Sequence, residues 1–261
     1  MQTALRGTQS IARAMALART VASRPLLGWR LTDLAAHCGL DKGTAHRMLA
    51  ALAQERMVQQ RASDRHYVPG PLLFELGLAL PQWSAFQSAC EAALTRIARR
   101  TGSVMFMYLL SGEEFVCAVR VGSTELKGLS IEVGTRRPLA VSAMGAAMLV
   151  ALPPARQAAV IAANLKQVAP FGAARLAGVA RMLRRSQRHG YGINLADVVP
   201  GINAYGVPLF DAHGNVFAAI GLAAAVQDFP RTRATEVEAM LLAEARRIER
   251  DNAATIAALM E

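Results

Sequence analysis

Apolar residues in the first fifth of the chain recur with helical spacing. Leu31, Leu34, Ala35 and Cys38 fall at i, i+3, i+4, i+7, and Ala45, Met48, Leu49 and Leu52 repeat that interval. Each set makes one buried face, so the stretch predicts two short helices. Between them, Gly39 can take a left-handed backbone without a Cβ penalty, Leu40 can plug the angle, and Asp41 can accept an N–H of the next turn. The second helix therefore begins near Lys42, and its outward face carries Lys42, Thr44, His46 and Arg47. Two amphipathic helices about a glycine turn describe a helix-turn-helix. That outward set of cations, hydroxyl and imidazole suits the phosphates and base edges of a major groove. Helix pairs of this kind also occur in helical proteins that never touch DNA, so the neighbouring segments matter.

Upstream, Ser10 to Ser23 predicts an Arg-studded amphipathic helix that ends before Pro25 and completes a three-helix core. Downstream, two short β-like runs between Gln54 and Val68 surround a polar tip and predict a hairpin. In that position a hairpin is a wing whose Arg61 and Arg65 reach phosphates or the minor groove, although a plain solvated hairpin has the same pattern. Pro69-Gly70-Pro71 then interrupts regular structure. Leu72 to Leu80 is an apolar helix that a small winged domain does not need for its own core, which suits a linker and dimerisation surface. Pro81-Gln82-Trp83 punctuates the boundary. The expected organisation is a DNA-binding domain over 1–70, a linker helix over 71–84 and a second domain over 85–261.

That second part opens with a helix, Phe86 to Thr101, followed by a hairpin of Val104 to Leu110 and Phe115 to Val121. Further strands are expected at Gly128 to Val133, Gly192 to Asp197, Ala204 to Phe210 and Val216 to Ala224. Helices are expected at Ser142 to Leu152, Ala155 to Ala163, Ala173 to His189 and Thr232 to Leu259. Hairpins with helices gathered elsewhere indicate an α+β domain on a mainly antiparallel sheet.

Composition narrows the function. The chain has 261 residues, 53% of them hydrophobic but only 5% aromatic, so its core is mostly Ala, Leu, Val and Met. The net charge of +10 favours polyanionic partners. Residues 1–80 hold ten Lys and Arg against five Asp and Glu, and residues 81–261 hold nineteen against fourteen, so the surplus is equal but denser in the N-terminal part. Cys38, Cys90 and Cys117 lie far apart in apolar surroundings and read as reduced thiols of a cytoplasmic protein. No metal-ligand spacing occurs, no apolar run reaches membrane-spanning length, and the first residues lack a signal-peptide core. The chain has no GxSxG elbow, phosphate loop or HExxH, and its five histidines form no dyad with Cys or Ser, so neither catalytic residues nor a cofactor are expected.

Taken together, the two halves resemble the IclR family of bacterial transcription regulators. The resemblance rests on Leu34-Ala35 through Gly39-Leu40, on Thr44-Ala45-His46-Arg47-Met48-Leu49, and on Tyr67 to Gly77. It extends through Val133-Gly134-Thr135-Arg136-Arg137-Pro138-Leu139 to Ser142-Ala143-Met144-Gly145, then His189-Gly190-Tyr191 and Gly201 to Gly221. It implies an N-terminal winged helix-turn-helix that binds double-stranded operator DNA as a homodimer, with further association into a dimer of dimers. It also implies a C-terminal GAF-like α+β domain that holds a small-molecule effector beside Ser142, Ala143, Met144 and Gly145, and control of a catabolic operon. A helix starting there would offer backbone N–H groups to a carboxylate. The chain departs from the family in having Ala140 where relatives carry a polar residue, Ala146 in place of a basic one, and Gly221-Leu222-Ala223 in place of Ser-x-Ser. Those losses predict a hydroxyl-poor pocket suited to an organic acid of apolar or aromatic character. Met105, Met107, Leu129, Tyr205 and Phe217 would be its walls, and Arg120, Asp197 and Asn203 its polar handles. Core packing is the competing reading for each of these residues. An enzyme with an accessory DNA-binding domain and a non-specific nucleic-acid binder are the alternatives to a regulator.

Overall fold

The computed structural model describes residues 8–122, 124, 126, 128–229 and 231–260. These fall into two compact units, the first running to Pro81 and including Gly134–Arg136, the second made of Gln82–Val133 and the chain from Arg137 onward.

In the first unit, α1 (Gln9–Ala22), α2 (Leu31–His37) and α3 (Lys42–Gln54) enclose Leu17, Val21, Leu34 and Leu49, all fully buried. The turn forms as its residues predict. Gly39 has φ +62°, Leu40 packs partly into the core, and Asp41 caps α3 by accepting the Thr44 N–H at 2.8 Å. The wing is the antiparallel pair β1 (Val58–Gln60) and β2 (Tyr67–Pro69), with Gln59 opposite Val68. Its root requires Gly70, because a Cβ there would stand 2.1 Å from the Arg56 carbonyl oxygen. The apolar linker segment is helical only over α4 (Leu72–Gly77). Pro81, which punctuates the sequence, is instead the first residue of α5 (Pro81–Thr101), where a missing N–H leaves no helical bond unmade.

The second unit is built on a six-stranded sheet in the order β5-β4-β3-β8-β7-β6. Its strands are β3 (Val104–Ser111), β4 (Glu114–Val121), β5 (Arg136–Pro138), β6 (Gly192–Leu195), β7 (Ile202–Phe210) and β8 (Val216–Ala225). The pairings from β4 across to β6 are all antiparallel. One face packs against α6 (Ala143–Ala151), α7 (Pro154–Val168) and α8 (Ala173–His189), and buries Phe106, Tyr108, Ala204 and Ala219 with Met144, Met148 and Met182. The opposite face packs against α5, α9 (Ala234–Asp251) and α10 (Ala253–Met260), and buries Met105, Met107, Tyr205 and Leu222 with Leu94, Val237 and Leu241. Burial on both faces explains why β8 reads as an almost unbroken apolar run.

Two expected elements take a different form. Gly128 to Val133 is irregular rather than a strand, bounded by Gly128 at φ +83° and Gly134 at φ +87°. Its alternation reflects Leu129 and Ile131 packing into the core from a loop, so it marks burial without a hydrogen-bonded ladder. The fifth expected helix of this unit, Thr232 to Leu259, breaks at Asn252, whose side-chain amide donates to the Ile248 carbonyl and competes with the main chain.

Candidate functional site

On α3, Lys42, His46 and Arg47 are exposed and Thr44 is half-buried, while Ala45, Leu49 and Leu52 hold the inner face. Arg47 Nη2 donates to Thr44 Oγ1 at 3.2 Å, which orients the guanidinium along the outer face. Hydrogen bonds from Thr44, side chain first and backbone second, hold the Asp41 carboxyl below the usual range, so the cap is ionised and accepting at neutral pH. Lys42, Thr44, His46 and Arg47 thus share the outer side of α3, away from its buried face.

The two wing arginines have different surroundings. Arg65 sits exposed at the tip in a left-handed backbone, φ +60°. Arg61 is committed to the fold: Nη1 donates to Leu26 O at 2.8 Å, Nη2 to Leu27 O at 3.0 Å and to Asp64 Oδ2 at 2.6 Å, and Nε to Asp64 Oδ1 at 3.0 Å. That bidentate partner holds the Asp64 carboxyl well below the usual carboxylate range. Arg61 therefore braces the wing against the loop before α2, and its four engaged bonds correct the expectation of a free phosphate-seeking side chain. Asp64, the other half of this brace, went unmarked in the sequence because i,i+3 acid–base pairs are commonplace.

In the second unit, strand register aligns five residues into one row across the sheet. Arg120 on β4 lies opposite Phe106 on β3, which is opposite Gly221 on β8, then Gly206 on β7 and Gly192 on β6. The three glycines make a furrow into which the start of α6 drops. A Cβ at Gly192 would stand 1.8 Å from the Ala143 carbonyl oxygen, and one at Gly206 would stand 2.7 Å from Met144 Cα. At Gly221 it would stand 2.2 Å from the Tyr205 carbonyl oxygen and 2.6 Å from Met144 Sδ. Gly221, expected as a lost hydroxyl, is thus the seat of the Met144 thioether, and sulfur fills the place a serine side chain would take. Ser142 caps α6, its Oγ accepting the Gly145 N–H at 2.9 Å, and Gly145 is pressed against Leu139 O. Asn164, which no sequence pattern singled out, is fully buried; it accepts from Ala140 N at 2.9 Å and donates to Glu113 O at 3.0 Å, fixing the approach to α6.

Parity divides the expected pocket residues. Ser142, Ala143, Met144, Gly145, Leu129, Gly221, Ala223 and Arg120 belong to the face covered by α6. Met105, Met107, Tyr205 and Phe217 lie on the opposite face, in the core with α5 and α9, and Asn203 there donates to Phe229 O at 2.8 Å. These five cannot line a site beside Ser142. The residues next to them along the strands, Phe106, Tyr108 and Ala204, occupy the α6 side instead, with Tyr108 stacked on Phe115 at 4.1 Å between ring centres. Successive strand residues point to opposite faces, so a choice one position off reverses every side chain. Asp197 is likewise not a free handle, since it pairs with Arg181 and Arg185 and accepts from Leu195 N. Burial raises its pKa, but those bonds outweigh burial and leave it lowered.

Cys90 and Cys117 are not reactive centres. Burial pushes Cys90 and Cys117 up to about 12. In the native protein at pH 8, alkylation by iodoacetamide should therefore be confined to half-buried Cys38, because a shift from about 9 to about 12 lowers the thiolate fraction ~1,000-fold. Mass-spectrometric mapping of the modified peptides checks this; labelling of Cys117 at the rate of Cys38 would contradict the buried environment.

A winged helix-turn-helix followed by an α+β unit with a helix-capped sheet is the construction of a ligand-responsive transcription regulator. Residues 10–62 match the IclR helix-turn-helix domain and residues 85–250 match the bacterial transcriptional regulator IclR C-terminal domain. The chain belongs to the IclR family: a DNA-binding transcription regulator with a C-terminal effector-binding domain, and not an enzyme. It is 25% identical over 223 residues to the transcriptional repressor IclR of Escherichia coli, covering 84% of this chain and 81% of that protein. It is 26% identical over 223 residues to the glycerol operon regulatory protein of Streptomyces coelicolor, covering 85% and 87%. Among solved structures, an IclR family regulator from Brucella abortus superposes with a TM-score of 0.72 at 19% identity, covering 94% of this chain and 93% of that one. An IclR homologue from Microbacterium hydrocarbonoxydans, complexed with 4-hydroxybenzoate, gives 0.67 at 21% identity, with 93% and 98% covered. Among the described residues, no helix is long and apolar enough to cross a membrane.

Proposed function

We propose that this protein controls a catabolic operon in the cytoplasm, binding its operator as a homodimer and responding to a small aromatic carboxylate. Lys42, Thr44, His46 and Arg47 read or position DNA, with Arg65 reaching from the wing, and the effector's carboxylate pairs with Arg120. The observation that carries the ligand assignment is the sheet row itself. Its glycine end is filled by α6 and Met144, which leaves the Arg120 end, beside the buried ring of Phe106, as the end that offers a cation. Arg120 is about a quarter exposed and its ion pair with Glu132 is long, 3.8 Å, so an incoming carboxylate can compete for it. The bound 4-hydroxybenzoate of the Microbacterium homologue is an acid of this class. Dimerisation over the linker, residues 71–84, is supported by Phe74, Leu76, Leu78 and Leu80, which are more than half exposed.

A thermal-shift series tests the ligand. Benzoate and 4-hydroxybenzoate should stabilise the protein by about 2.7 kcal/mol at a hundredfold excess over Kd, whereas acetate and pyruvate should not. Arg120→Ala should remove the shift without lowering the unliganded melting temperature. Stabilisation by short aliphatic acids alone, or an undiminished aromatic response in Arg120→Ala, would sink this assignment.

A further inference from the structure

The positive charge of the chain is concentrated away from the helix-turn-helix. Residues 133–196 contain nine Lys and Arg and no Asp or Glu, while the rest of the chain is almost balanced, with twenty against nineteen. Within that stretch, α8 buries Val179, Met182, Leu183 and Ser186 against the sheet and turns Arg181, Arg184 and Arg188 outward at i, i+3, i+7. Asp197 accepts from Arg181 and from Arg185. Arg184 and Arg188 are exposed and have no carboxylate partner among the described residues. Like charges one turn apart destabilise a helix, and the helix dipole offsets this only in the last turn. Nothing in the packing of the unit requires Arg184.

We propose that this arginine stripe is a second polyanion-binding surface, which holds the phosphate backbone of duplex DNA flanking the operator. The proposal rests on the reading of α3 as the operator-binding helix and adds a contact made by the effector-binding unit. Duplex DNA is favoured as the occupant because α3 and the wing bring it to the protein, so a second contact acts at high effective concentration. Guanidinium groups also grip phosphate oxygens through paired donors, and several along one helix face displace counterions together.

The test uses the full chain and two operator-centred duplexes, one trimmed to the operator and one extended by twenty base pairs on each side. Affinity is measured by fluorescence anisotropy across a salt series. In Arg184→Gln/Arg188→Gln, the slope of log K against log salt should fall by about 1.8 per protomer on the extended duplex and stay unchanged on the trimmed one. Arg184→Lys/Arg188→Lys should retain the slope, which separates charge from any loss of helix stability. An unchanged slope on the extended duplex overturns the proposal, and would be the result if the stripe served an acidic protein partner. An equal fall on both duplexes overturns it too, since the stripe would then be part of the operator interface. Loss of binding to the trimmed duplex in Arg47→Ala reports separately on α3.

Discussion

Gly192→Ala is expected to cost the effector-binding unit about 3 kcal/mol or more, read as a fall in the urea midpoint with the slope preserved. The added methyl carbon would lie 1.8 Å from the Ala143 carbonyl oxygen, 2.6 Å from its carbon and 3.1 Å from the Ala147 nitrogen. All three are backbone atoms, so no rotamer change relieves the clash and α6 must lift from the sheet. Lifting α6 also disturbs the Met144 seat over Gly206 and Gly221 and the Ser142 cap. The effector response should therefore weaken even where the unit remains folded. The same substitution at Gly77, in α4, has the opposite expectation. A Cβ there meets nothing within 4 Å, so Gly77→Ala should be neutral or stabilising by up to about 1 kcal/mol. Equal midpoints for Gly192→Ala and the parent protein would mean that the furrow does not hold α6 as tightly as this geometry requires.

Arg47→Ala is expected to weaken operator binding by about 1–3 kcal/mol per protomer while leaving ligand-induced stabilisation intact. The fold should not change, because the Asp41 cap acts through the Thr44 backbone and the inner face of α3 is untouched. Gel shifts with operator and scrambled duplexes distinguish its role. A loss confined to operator marks base reading, and an equal loss on both marks a phosphate contact. Arg61→Ala should differ in kind. Removing a guanidinium that braces Leu26, Leu27 and Asp64 should lower the melting temperature of the first unit as well as its affinity. Arg65→Ala should lower affinity alone.

The first unit was legible almost residue by residue. Helical periodicity, a glycine turn and an aspartate cap act over a few neighbouring residues, and each survives in the structure as α2, Gly39, Asp41 and α3. The wing was legible as a hairpin, yet not the division of labour between Arg61 and Arg65, because the carbonyls that capture Arg61 lie more than thirty residues upstream. In the second unit the hairpin β3–β4 and the run of β8 are plain in the sequence, whereas Gly128 to Val133 has the pattern of a strand and is a loop. Alternating burial in a loop leaves the same trace as alternating burial on a ladder. The expected pocket residues divide between the two faces for a related reason: strands buried on both faces carry no polar alternation to say which residues face α6.

Short-range physics alone therefore determined the reading helix, its cap, the apolar linker and the α+β character of the second unit. Tertiary structure decided the rest. Only strand register could align Arg120, Phe106, Gly221, Gly206 and Gly192 into one row, and the start of α6 lying on that row, with the Tyr205 carbonyl against Gly221, turns three glycines from missing side chains into a requirement. Contacts between residues distant along the chain leave no periodic signal in it, because what they conserve is a distance in space and not a spacing in sequence.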